Sequence, residues 1–287
     1  MKTALVLGVA NNRSIGWACV KELLRRQYQV IFTYQNDRFE RTANQLIQQE
    51  HAMGGNGDPI HSHSHSQGHG NDIRDASFSL RATVCDVSRD IPSFFEQKLP
   101  EMLGGTNDKL DVIVHSIAYA PPDAMKEGAL LSTSREAFLE AHAISSYSFL
   151  ETARCSLPLL DPDASMTTLS FLGAVRAVPH YNVMGPAKAS LEATMRGLAI
   201  EMPHRIRVNC VSPGPLSTMA ARGIRDFGRM KDDYIERAPL GRNATVDEVA
   251  STIGYVACDA TGMTGQTLYV DCGYNTVAGP PYKEGEP

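Results

Sequence analysis

No apolar run in this chain of 287 residues approaches the ~20 residues that a membrane-spanning helix requires. A spanning role therefore has no segment to rest on. An excess of positive charge is also missing. Lys and Arg number 27 against 32 Asp and Glu, and a net charge of -5 gives no electrostatic case for binding nucleic acid. Cysteine is sparse and scattered. The six (Cys19, Cys85, Cys155, Cys210, Cys258 and Cys272) include no C-x-x-C pair, which argues against a disulfide framework and against a zinc site. Cys19, Cys85 and Cys210 lie in apolar runs and are expected to be small buried hydrophobes in a reducing compartment. A signal peptide is not evident, because strand-like sequence begins at residue 2 with no basic leader or cleavage site. The expected location is the cytoplasm; an organellar protein stripped of its transit peptide would read the same way.

What is present fits one large core. Hydrophobic residues make up 43% and charged residues 21% of the chain, both ordinary for a globular domain. The length suits a single doubly wound α/β domain. Short apolar runs alternate with amphipathic stretches. Lys2–Leu7 reads as a strand, Trp17–Gln27 as a helix and Gln29–Thr33 as a second strand, which completes a βαβ unit. Further strands are expected at Ser79–Cys85, Leu110–Ser116, Ser165–Leu169, Arg205–Val211 and Thr267–Asp271, with a long helix over Phe138–Leu157. Repeated β-then-α units with doubly buried strands predict a Rossmann-type doubly wound parallel sheet flanked by helices. Ligands on such sheets bind beyond the carboxyl ends of the strands. Asp86-Val87, Ser116–Ala120, Ser170–Gly173 and Pro213–Thr218 fall there.

One segment stands outside this pattern. His51–Ala76 contains alternating histidines at His61, His63 and His65, with His69 following, and almost no large apolar residues. It cannot bury enough surface to offset its ordering entropy, so a disordered insert is expected. No carboxylate or cysteine cluster accompanies the histidines, and a functional metal is not expected there.

Two local patterns carry chemistry. Gly8-Val-Ala-Asn-Asn-Arg-Ser14-Ile15-Gly16 joins the first strand to the first helix, the setting in which a helix N-terminus receives a pyrophosphate. Its glycine spacing departs from G-x-G-x-x-G, and an ordinary βα turn would explain it equally well. The second is Tyr181-Asn-Val-Met-Gly-Pro-Ala-Lys188, just before the helical run Ala189–Ile200. Seven residues are close to two helical turns, so both side chains are expected on nearly one face. A phenol can exchange a proton or hydrogen bond with a substrate oxygen. A nearby ammonium can lower the phenol's pKa and hold a sugar hydroxyl. Taken alone, the pair is better read as a tyrosine and a lysine on a surface helix; that reading gives way once the glycine turn upstream is considered.

Together these segments resemble the short-chain dehydrogenase/reductases, and more narrowly the NADH-dependent enoyl-acyl carrier protein reductases of type II fatty acid synthesis. The resemblance spans nearly the whole chain apart from the histidine-rich insert and the last few residues. Most short-chain dehydrogenases use Tyr-x-x-x-Lys, but the residue four after Tyr181 is Gly185. The Tyr-x-x-x-x-x-x-Lys spacing of the enoyl reductases does match. The segments around Phe32–Asp37, His115–Pro121, Ile144–Ser148 and Gly214–Thr218 also resemble family segments.

The resemblance implies that Gly8, Ser14 and Ile15 line a pyrophosphate and that Gln35 lies by the adenosine ribose. It places Asp86 and Val87 at the adenine, and Ser116 and Ala118 beside the nicotinamide. Lys188 would hold ribose hydroxyls, and Thr218 would approach the pyrophosphate or carboxamide. Ala120, Phe171 and Tyr181 would meet the substrate, with Tyr181 and Lys188 catalytic. An enoyl thioester on an acyl carrier protein is the implied substrate, and a homotetramer the implied assembly. Two positions depart from the family: Phe171 stands where a second tyrosine is frequent, and Ala118 where many bacterial members carry glycine. The chain is also short between Ala199 and Arg205. A carbonyl reductase and a non-catalytic dinucleotide-binding protein remain as alternatives, since one fold hosts many chemistries.

Overall fold

The computed structural model describes residues 1–54, 80–104, 108–126 and 129–278. Seven parallel strands form one sheet: β1 (Thr3–Leu7), β2 (Gln29–Tyr34), β3 (Leu80–Val84), β4 (Leu110–His115), β5 (Leu160–Leu169), β6 (Arg207–Pro213) and β7 (Thr267–Val270). Their spatial order is β3-β2-β1-β4-β5-β6-β7. The order reverses between β1 and β4, where Val6 pairs with Val114 and Leu7 with His115. That switch point opens a crevice beyond the strand ends.

Strand alternation divides the core in two. Ala4, Val6, Val30, Phe32, Val112 and Val114 face one side, against Trp17, Val20 and Leu23 of the Ile15–Arg25 helix and Val249 and Ile253 of the Val246–Cys258 helix. Leu5, Leu7, Ile31, Ile113, Met166 and Val208 face the other, against Phe94, Phe149, Leu191 and Met195. With both faces covered, the strands read as continuous apolar runs.

Several element boundaries differ from the sequence expectation. The first helix is Ile15–Arg25, capped by the Ser14 side chain at the Trp17 N–H; the cap starts it two residues earlier than its apolar pattern suggests. β5 begins at Leu160, and its register with β4 shifts between Leu110 and Val112. The expected helix over Phe138–Leu157 begins at Arg135 and contains a five-residue π segment, Ala143–Tyr147, before continuing as Ser148–Ser156. The inserted turn lets Ser145 face the loop after β4: its Oγ accepts from the Tyr119 N–H (2.9 Å) and donates to the Tyr119 carbonyl (2.7 Å). The helix Glu40–Gly54 takes in His51–Gly54, so the insert does not begin at His51. Residues 55–76 lie outside the described residues.

The Val246–Cys258 helix is held at both ends. Thr245 and Glu248 form a capping box at its start. At its end, buried Arg207 donates to the carbonyls of Val256 (2.7 Å), Ala257 (2.7 Å) and Ala260 (3.0 Å). A guanidinium there complements the helix dipole and satisfies carbonyls that have no helical partner. Arg207→Met should therefore lower stability by about 2–4 kcal/mol, read as a lower urea midpoint. An unchanged midpoint would mean that water replaces the guanidinium without loss.

Candidate active site

A cleft of about 830 Å³ opens beyond the carboxyl ends of the strands. The turn after β1 brings Gly8, Ser14 and Ile15 to it, and the end of β2 brings Gln35. Val87 follows β3; Ser116, Ala118 and Ala120 follow β4. Phe171 follows β5 and Thr218 follows β6, while Tyr181 and Lys188 close the wall between them. Asp86 is the exception among the residues singled out from sequence. It does not line the cleft; its Oδ1 instead accepts from the backbone N–H (3.0 Å) and hydroxyl (2.7 Å) of Ser88, a short-range turn that turns the carboxylate back on its own loop. Ser88 lines the cleft in its place.

The floor of the cleft depends on a close backbone approach. Gly8 has φ +91°, and a Cβ there would meet the Ser116 carbonyl oxygen at 2.4 Å and the Ile117 side chain at 2.5 Å. A side chain would fill this floor, so the turn stays bare above the N-terminus of the Ile15–Arg25 helix. Bare backbone beside a helix start is the cradle that a pyrophosphate requires.

The tyrosine and lysine line the same cleft, but not by sharing a helix face. The helix is Met184–Glu201, so Tyr181 precedes it. Flanking His180 (φ 62°) and Asn182 (φ 42°) are both left-handed. Asn182 Nδ2 donates to the Lys126 carbonyl at 2.9 Å and fixes this turn. The helix can start there because Pro186 falls in its first turn, where no intrahelical N–H bond is needed. Tyr181 packs against Phe171 with ring centroids 4.7 Å apart. Tyr234 lies beyond Phe171 at 6.3 Å and stacks on Tyr274 at 3.6 Å.

Lys188 is buried at 3% exposure. Its Nζ donates to the carbonyls of Leu169 (2.7 Å) and Ile117 (3.2 Å), beyond or at the ends of neighbouring strands. Burial pushes its pKa down to about 8. Burial alone pushes the Tyr181 phenol well above its usual range. The expected lowering of the phenol by the lysine is therefore not found; the ammonium is committed to backbone carbonyls, and Tyr181 is a protonated hydrogen-bond donor at neutral pH. Behind them His115 is fully buried between Thr168 Oγ1 (3.1 Å) and Ser148 Oγ (2.8 Å), and desolvation brings its pKa down to about 3, so it is neutral.

A sequence profile of the family described as enoyl-(acyl carrier protein) reductase matches residues 8–57 and 66–275. The chain belongs to this family. It is 36% identical over 281 residues to the NADH-dependent enoyl-[acyl-carrier-protein] reductase FabI of Escherichia coli K12, covering 96% of this chain and 95% of that relative. The enoyl-(acyl-carrier-protein) reductase of Anaplasma phagocytophilum, solved in complex with NAD, superimposes with a TM-score of 0.81 at 32% identity over 98% of this chain and 96% of that one. The Bacillus cereus enoyl-acyl carrier protein reductase, solved with NADP+ and an indole naphthyridinone, superimposes with a TM-score of 0.81 at 35% identity over 96% and 97%.

In this enoyl reductase several residues of the cleft lie away from the strand ends. Glu140, Ala143 and Ile144 reach the cleft from the helix containing the π segment, and Met219 from the segment after β6. None lies at a strand end, and among them Ile144 alone falls in a segment that resembles the family in sequence. A Cβ at Gly173 would meet the Tyr181 ring at 2.3 Å, so only glycine lets the phenol lie against this loop. Gly173→Ala should displace the ring and lower kcat by about 10²-fold, the cost of a misplacement of about 1 Å, with the fold retained. Steady-state kinetics beside circular dichroism test this; unchanged kcat would show that Tyr181 is not placed by that contact.

Proposed function

We infer that this protein reduces the trans-2 double bond of enoyl thioesters carried on acyl carrier protein, with NADH as reductant, the reductive step of type II fatty acid synthesis. The observation that carries this reading is the convergence of Tyr181 and Lys188 on the cleft that the Gly8 turn opens. Residues for the cofactor are available along its length: Gly8, Ser14 and Ile15 for the pyrophosphate, Gln35 for the adenosine ribose, Val87 near adenine, and Ser116, Ala118 and Thr218 toward the nicotinamide end. The reading for Asp86 shifts from contacting adenine to shaping the loop that carries Val87 and Ser88. When bound, NADH supplies a hydride to C3 of the enoyl group. Negative charge then develops on the thioester oxygen, and Tyr181 donates a hydrogen bond to it; a proton completes the product at C2. A phenol kept protonated by burial suits that role. Lys188 has three donors, of which two are engaged by Ile117 and Leu169, leaving one for a ribose hydroxyl. Ala120 and Phe171 supply apolar wall to the substrate.

The direct test is oxidation of NADH by a crotonyl thioester, with a ketone and NADPH as comparison arms. Turnover of the ketone alone would favour a carbonyl reductase. No turnover with bound NADH would favour a non-catalytic role. Neutral Gln35 and acidic Asp37 after β2 favour NADH over its 2′-phosphate. A homotetramer is the proposed assembly. Phe138, Leu139, Tyr147 and Leu150 leave an exposed apolar surface along one helix, of the kind buried between subunits. A monomer in analytical ultracentrifugation would count against it.

Tyr181→Phe should lower kcat on the order of 10²-fold, the scale for one oxyanion donor, with little change in NADH affinity. Lys188→Ala should instead weaken NADH binding. Phe171→Tyr should change the rate little. A ten-fold gain from Phe171→Tyr, with little loss from Tyr181→Phe, would move the oxygen contact away from Tyr181.

Docking of an acidic carrier to a chain of net charge -5 needs a local basic patch. Arg225 and Arg229 are exposed at the cleft's edge, beside Ile224 and Phe227, which line it. They do not share one helix, as their spacing suggests. The helix is Phe227–Arg237, and Arg225 precedes it, its Nε 3.6 Å from Asp226. Arg222 lies in the turn Ala220–Gly223. Reversing Arg225 and Arg229 to Glu should raise KM for the carrier-bound substrate more than for the coenzyme A thioester. Equal losses on both would remove the carrier site from this surface.

A further inference from the structure

Glu192 is a buried carboxylate that the reaction as described above does not use. It sits at 4% exposure on the Met184–Glu201 helix, one turn beyond Lys188. Residues four apart on a helix lie side by side, with Cβ atoms roughly 5–6 Å apart. Its Oε1 accepts a 2.5 Å hydrogen bond from Ser170 Oγ. Ser170 follows the residue whose carbonyl holds the Lys188 ammonium, and it lines the cleft just before Phe171. Its own N–H is bound to the Val211 carbonyl at 2.9 Å. One carboxylate therefore touches the strand end that anchors the lysine and flanks the lysine on its helix.

We propose that Glu192 is a positioning residue for cofactor binding: it supplies the counter-charge to the buried Lys188 ammonium and, through Ser170, ties the end of β5 to the helix that carries the lysine.

The groups packed around Lys188 leave no other candidate for the counter-charge among the described residues. Cys210 on β6 is buried, and desolvation pushes its thiol up to about 12. His115 on β4 is neutral, with its pKa down to about 3. Tyr181 is held protonated by burial. Tyr269 on β7, which feels the Glu192 charge, is likewise raised by burial. Cys210 and Glu192 both lie where a negative charge would favour the ammonium, but Cys210 stays a neutral thiol below its raised pKa, which leaves Glu192 to oppose the desolvation between about pH 6 and pH 10. A buried ammonium without an opposing charge sheds its proton, and a neutral amine is a poorer donor to ribose hydroxyls. Lys188 has its pKa lowered by burial to about 8, so the charged form is present below that pH and lost as pH rises through it. Removing the Glu192 charge moves that loss to lower pH.

The proposal rests on the reading of Lys188 as the ribose-binding residue, and the test separates the two. The dissociation constant of NADH is measured by nicotinamide fluorescence from about pH 6 to pH 10, the span over which the lysine titrates. In the unmodified protein, affinity falls as pH rises through the lysine's titration. In Glu192→Gln that fall begins about one pH unit lower, the size expected for one buried charge at helical-neighbour distance. Glu192→Asp keeps the charge and holds the fall near its original pH, which also serves if Glu192→Gln does not fold. Lys188→Arg, whose guanidinium does not titrate in this range, abolishes the fall and makes a second change at Glu192 silent. A fall that persists in Lys188→Arg would remove Lys188 from cofactor binding. A fall that vanishes there, yet is unmoved by Glu192→Gln or is moved equally by Glu192→Asp, would overturn the role of Glu192 alone.

Discussion

The burial of one ammonium group organises this protein's cleft. Lys188 places a charge in the seam between the sheet and the Met184–Glu201 helix, where water cannot solvate it. Such a charge is tolerable only where strong acceptors converge. The carbonyls of Leu169 and Ile117 meet that need because they lie at or just beyond the ends of adjacent strands, where the sheet ladder stops and acceptors are left over. A lysine at the same place along the middle of β4 or β5 would find every carbonyl already bonded. The parallel sheet therefore decides where this residue can sit, and the cleft forms around that position.

The same strand ends arrange the aromatic wall. Ser170 is pinned to Val211 by its backbone and to Glu192 by its hydroxyl, which fixes the residue before Phe171. Phe171 then packs on Tyr181, and the absence of a side chain at Gly173 gives the phenol ring its seat. On the other side of the cleft, Ser145 clamps the backbone of Tyr119 from within a π segment, so the loop after β4 is held from the helix rather than from the sheet. In the proposed reaction, rigid support of this kind would keep the Tyr181 hydroxyl where charge develops. The proposed role does not require a lowered pKa: a donor that stays protonated and fixed suits an oxyanion better than one half-ionised at rest.

The loop residues show where local and tertiary influences part. Asp86 was singled out because it follows β3, and the strand end was real. Its carboxylate is nevertheless spent on Ser88, two residues on, a competition that an aspartate at a turn readily wins. Position along the chain predicted the neighbourhood correctly; the direction of the side chain was set by a local hydrogen bond. Arg225 and Arg229 repeat the lesson, since their spacing suggested one helix and the chain starts that helix between them.

The doubly wound parallel fold was legible in the sequence, because short continuous apolar runs and βα alternation are local signals repeated many times along the chain. The sequence also determined the glycine turn and the Tyr181–Lys188 spacing, which sterics and reach restrict to a few residue types. The tertiary structure decided what those residues do to one another. It placed Tyr181 ahead of the helix, committed Lys188 to two strand-end carbonyls, turned Asp86 away, brought Glu140 and Ile144 to the cleft and set Gly173 against the Tyr181 ring. The reason is physical: propensity and periodicity act over a few residues, whereas the desolvation of a buried charge and the steric limit on a ring depend on atoms that only the packed chain brings within reach.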